Sequence, residues 1–103
     1  MLTVIETPLF SKLWPDYWTE DERTDFAAWL SANPEAGDVI PGAGGCRKVR
    51  WTRAGSRKRG GVRVIYFNQL ADGSIVLLLI YAKNVQDTIA PAVLRKLVKE
   101  LSP

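Results

Sequence analysis

Eight consecutive apolar residues, Ile75 to Ala82, follow the turn signal Asp72-Gly73. The run is far short of the ~20 residues needed to cross a bilayer as a helix. It is apolar on both faces, so Ile75 to Lys83 is predicted to be the buried central strand of a sheet. The rest of the chain must then cover both faces of that strand. With 103 residues, 47% apolar and 10% aromatic, the chain has the material for a single domain over 1–103 around one hydrophobic core.

Thr3 to Thr7 suits a short first strand broken by Pro8, and Phe10 to Trp18 a helical turn interrupted by Pro15. Thr19-Glu20-Asp21-Glu22 matches a capping box, in which hydroxyl and carboxylate satisfy reciprocal backbone donors. Phe26, Trp29 and Leu30 then form one apolar helical stripe, ended by Asn33-Pro34. PEAGDVIPGAGG reads as a loop. Cys46 to Arg53 is a predicted strand with Val49 and Trp51 on one face and Lys48, Arg50 and Thr52 on the other. Ala54 to Gly60 forms its basic tip and Gly61 to Asn68 the returning strand. Asp87 or Thr88 is expected to cap a last helix with Pro91 in its first turn and Leu94, Leu97, Val98 and Leu101 as its core stripe. The order β-α-α-β-β-β-α places the chain in the α+β class.

The net charge of +3 hides a division. Residues 1–38 hold eight acids against two bases, −6; residues 39–71 hold eight bases and no acid, +8; residues 72–103 hold four bases and three acids, +1. The central block is the footprint of a polyanion binder. No His is present, which removes His-based triads and His metal ligands. The single Cys46 reads as a small buried hydrophobe, and with no pairing partner it points to a reducing compartment. MLTVIETPLF lacks the basic start and apolar core of a signal peptide, so a cytoplasmic location is expected, with no membrane partner. Glu20, Asp21, Glu22 and Asp25 read as a solvated helix start, not a metal site. Neither metal nor cofactor is expected.

Two readings of the basic block stay open on composition alone. One is an electrostatic grip on phosphates. The other is RNA cleavage by the 2′-hydroxyl, which needs a base, an acid for the leaving 5′-oxygen and positive charge for the phosphorane. A Lys with Arg neighbours is a candidate base, and Lys48 lies between Arg47 and Arg50. Trp51 alternates onto the core face and is expected to be core. Trp14 and Trp18 are candidates for an exposed partner surface.

The segments GGCRKVRW, GGVRVIYF, the Asp72-Gly73 turn and IVLLLIYAKN, followed by an amphipathic helix, resemble the RelE/ParE toxin superfamily, most closely its HigB-type branch. The resemblance covers residues 38–101 well and the N-terminal part by element order. It implies a mostly antiparallel twisted sheet packed against helices, and the toxin of a type II toxin–antitoxin system. Such a toxin is a ribosome-dependent mRNA endonuclease that needs no metal. On this likeness Lys48 and Arg50 match the family's two alternating basic positions, and Arg63 its arginine that stabilises transition-state charge. Lys83 falls at its basic position ending the last strand. The chain has Asn84 where RelE has an Arg, and no aromatic in its last helix to match RelE's C-terminal Tyr. Tyr81 is the substitute acid, because it shares a strand face with Lys83; Tyr66 comes second. For both, a core role stands beside the catalytic one. Arg47, Arg53, Arg57, Lys58 and Arg59 are expected to contact ribosomal RNA. The implied partners are a neutralising antitoxin of helix-turn-helix type, the ribosome with its mRNA, and promoter DNA only through the antitoxin. A ParE-like gyrase poison and a non-catalytic RNA-binding domain are the alternatives.

Overall fold

In the computed structural model, which describes residues 2–52, 61–82 and 89–101, the apolar run lies inside a five-stranded sheet. The elements are β1 (Thr3–Glu6), α1 (Pro8–Leu13), α2 (Glu20–Ala32), β2 (Asp38–Val39), β3 (Arg47–Trp51), β4 (Val62–Gln69), β5 (Ser74–Ala82) and α3 (Pro91–Leu101). Single turns of 3-10 helix at Trp14–Asp16 and Leu70–Asp72 join α1 towards α2 and β4 to β5. The sheet order is β1-β5-β4-β3-β2, with β1 parallel to β5 and the other pairs antiparallel. This is the expected α+β class.

Two details differ from the sequence reading. Asp38–Val39, read as loop, pairs with Lys48 and Arg47 as an edge strand. Two residues carry no periodicity, so no pattern could reveal it. The apolar strand β5 is interior but not central, because β1 pairs along its outer side and β4 takes the middle of the five.

Local chemistry accounts for the helix starts. Thr7 Oγ1 accepts from the Phe10 N–H at 3.1 Å, and Pro8 occupies the first turn of α1, where a missing N–H costs nothing. At α2 the capping box forms as read: Thr19 Oγ1 accepts from Glu22 N–H at 3.2 Å, and Glu22 Oε1 accepts from Thr19 N–H at 3.1 Å. The Ala90 carbonyl accepts the first bonds of α3, so that helix starts at Pro91; Asp87 and Thr88 lie outside the described residues.

The sheet separates two apolar layers. On one face Phe10, Trp18, Phe26 and Leu30 of the helical segment pack on Val49, Val64, Tyr66, Ile75, Leu77 and Ile80. Trp18 is 6% exposed and belongs to the core, not to an exposed surface, whereas Trp14 is half-buried with the Arg23 guanidinium over its ring. Trp51 joins this layer, 5.5 Å from Phe26 and 4.9 Å from Trp29 between ring centroids, as its strand position predicts. On the other face Cys46, Ile65, Phe67, Val76, Leu79 and Tyr81 pack with Leu94 of α3. A bulge in the β4–β5 register at Ile65/Tyr66 lets both Leu78 and Leu79 reach this second layer. The α3 stripe is only partly covered: Leu94 is buried and Val98 packs on the layer, but Leu101 is 43% exposed. No helix among the described residues is long and apolar enough to cross a membrane.

Candidate functional site

The pleat of β3 sorts its five residues. Val49 and Trp51 go to the α1/α2 layer, and Lys48 and Arg50 are exposed on the opposite face. Pairing then builds a row across three strands, because Arg50 stands opposite Arg63 and Arg63 opposite Tyr81. Residues directly opposite share a face, and adjacent strands lie ~4.8 Å apart. The next row carries Lys48 opposite Ile65. The structure therefore brings Lys48, Arg50, Arg63 and Tyr81 onto one face, Lys48 and Arg50 exposed, Arg63 half-buried and Tyr81 buried with its hydroxyl covered. Two arginines directly opposite each other bring two guanidinium-bearing side chains within reach of one anion.

Beside these rows lies a cleft of about 200 Å³. Ile65 is its floor, and Ile40, Ile89 and the first turn of α3 (Pro91, Leu94) are its walls; Lys48 and Tyr81 line its polar side. The loop that supplies Ile40 is tied to α3 by Arg95, whose Nη1 donates to the Gly42 carbonyl at 3.0 Å. Lys96 and Lys99 of α3 are exposed.

Not every candidate joins the group. Arg47 is on the other face, where its Nη1 donates to the carbonyls of Gly37 at 2.8 Å and Glu35 at 3.3 Å. Here it braces the loop after α2. Tyr66 is also on that face and fully buried. Its hydroxyl donates to the Pro34 carbonyl at 2.8 Å and accepts from the Gly37 N–H at 2.9 Å. Burial pushes that hydroxyl above the usual tyrosine range, so its proton is held where no substrate reaches. The second-choice acid is thus a structural tyrosine. Cys46 is buried, and burial pushes its thiol up to about 11, away from nucleophilic use. Lys83, Arg53, Arg57, Lys58 and Arg59 lie outside the described residues. Among the described residues no group of three or more His, Cys, Asp or Glu could hold a metal ion.

The sequence reading missed the cleft walls. Ile40 comes from a turn-rich loop and Ile89 precedes a helix; an isolated aliphatic residue in either place carries no periodic signal.

The acids of α2 lie on the α1/α2 side, where Arg23 pairs with Glu6 and Glu20, so the two sides of the sheet differ in charge. The architecture is that of a RelE-like fold: helices on one face of a small sheet and a terminal helix on the other. Among solved structures, the chain is similar to a free-state arginine-to-alanine variant of the E. coli toxin RelE, with 14% identity, a TM-score of 0.64 and 98% of each chain covered. No protein-family model matches the chain.

Proposed function

We propose that this chain is the toxin of a type II toxin–antitoxin pair, an endoribonuclease that cuts mRNA in the ribosomal A site. The observation that carries the reading is the Arg50–Arg63–Tyr81 row with Lys48 beside it, on a sheet with the RelE fold. Lys48 takes the proton of the 2′-hydroxyl, whose oxygen attacks the adjacent phosphorus. The bond from phosphorus to the 5′-oxygen breaks, leaving a 2′,3′-cyclic phosphate. Arg50 and Arg63 neutralise the charge on the phosphorane, and Tyr81 supplies the proton for the departing 5′-oxygen. Lys83, the next residue in sequence after Ala82, would add positive charge, and Arg53, Arg57, Lys58 and Arg59 would dock on ribosomal RNA.

On this reading the toxin works in the cytoplasm and belongs to the HigB-type branch. Its antitoxin is a helix-turn-helix protein that neutralises the basic face and brings the pair to promoter DNA.

Induction in cells followed by primer extension on translated mRNA tests the proposal. Growth should stop and new 5′ ends should appear within reading frames. Lys48→Ala and Arg63→Ala, at equal soluble levels, should abolish both. Arrest without new 5′ ends would instead identify a gyrase poison, and undiminished cutting by both variants would overturn the residue assignment.

A further inference from the structure

We infer that the cleft between the sheet and the start of α3 is a subsite for one nucleobase of the RNA, and that Ile40 and Ile89 set which bases enter it. The inference rests on the proposed nuclease reading and extends it to base selection.

The cleft adjoins the row that would hold the phosphate. Lys48 and Arg50 are two residues apart on β3, a separation of roughly 6.7 Å along the strand. A base whose phosphate is held at Arg50 and Arg63 would therefore lie within reach of the cleft that Lys48 lines. Sequence-specific recognition of single-stranded RNA uses bases splayed out into such sites. At about 200 Å³ the cleft is smaller than the ~300–1,000 Å³ of a drug-sized pocket. It suits one planar ring system and excludes two stacked bases.

Its walls are Ile40, Ile65, Ile89, Pro91 and Leu94. None of these side chains can donate or accept a hydrogen bond, so these walls select by size and contact, and polar contact is left to Lys48 and Tyr81 on the other side of the cleft. A substrate made only of phosphate and sugar would gain nothing from such a lining, whereas the apolar face of a base would. Ile65 and Leu94 are also core residues, 2% and 1% exposed. Ile40 and Ile89 are half-buried at the rim, so they can change the cleft with least cost to the fold.

Two measurements test this on the full chain made in a cell-free system. The first is binding of a short single-stranded RNA that cannot be cut because its riboses are 2′-deoxy, with one abasic position moved stepwise along it. The parent should lose about tenfold in affinity at one register only, and Ile89→Trp and Ile40→Trp should bind all the oligomers alike. An equal response at every register, or the parent's pattern kept in both variants, would overturn the inference. The second is sequencing of the 5′ ends of mRNAs cut on ribosomes. Both Trp variants should flatten the base preference at one position near the cut by at least threefold. Unchanged base frequencies would also overturn it. A parent that cuts nothing would refute the nuclease reading, while a single-register abasic effect would still uphold the base cleft. Thermal unfolding of each variant shows whether it is folded.

Discussion

At the scale of single residues, the two tyrosines of the central strands show how similar side chains separate in role. Tyr66 and Tyr81 sit on neighbouring strands but opposite faces, and only Tyr81 faces the basic row. Tyr66→Phe would leave the Gly37 N–H and the Pro34 carbonyl short of one partner each. It should cost about 1–3 kcal/mol in urea unfolding, while the RNA-cleaving activity of the folded fraction is retained. Tyr81→Phe should show the reverse, with stability nearly kept and cutting lost. Cys46 gives a pH prediction. Its folded value of about 11 lies above the ordinary value of 9.0, so the native state keeps a proton that the unfolded chain releases. Its contribution is whole below pH 9 and declines as pH rises towards 11, by at most about 1.4 kcal/mol per pH unit. Subtracting the denaturation curve of Cys46→Ala from that of the parent across pH 8–11 isolates this slope.

At the scale of elements, β3 divides its cations by parity. Arg47 and Arg50 lie three residues apart in one strand, yet Arg47 binds loop carbonyls and Arg50 is exposed on the other face opposite Arg63. Arg47→Ala should lower stability by about 1–2 kcal/mol and leave cleavage per folded molecule intact. Arg50→Ala should leave the unfolding midpoint within about 0.5 kcal/mol and reduce cleavage at least tenfold. Finding the same ratio of stability loss to activity loss in both variants would contradict the division. The capping box of α2 was legible because its partners are three residues apart in sequence. The stripe of α3 was legible as a pattern, but how much of it the sheet covers was not. Leu101 reads as core by spacing and is exposed in fact, because the apolar layer beneath α3 ends before the helix does.

At the scale of the whole molecule, the sheet separates charge of opposite sign. The acid-rich α2 lies on one side, and Lys48, Arg50 and Arg63 on the other. This gives the protein an orientation in the field of a polyanion. Single-stranded RNA binding should weaken with salt, at about 0.7 logarithmic units per phosphate contact. Replacing Lys48, Arg50 and Arg63 together with Gln should flatten the salt slope by about 2. An unchanged slope would move the RNA contact to another part of the surface.

The sequence alone determined what local chemistry can specify. The run Ile75 to Ala82 required a strand covered on both sides, Thr19 to Glu22 set a helix start, and alternation sent Lys48 and Arg50 away from Val49 and Trp51. These signals repeat within a few residues, so they survive without knowledge of neighbours. The parallel pairing of β1 with β5, the Arg50–Arg63–Tyr81 row, the use of Tyr66 to hold the Pro34–Gly37 loop and the aliphatic cleft were decided by tertiary structure. Each depends on strand register or on a contact across tens of residues. Register is chosen by which packing buries both faces of the sheet together, and no short window of sequence contains that information.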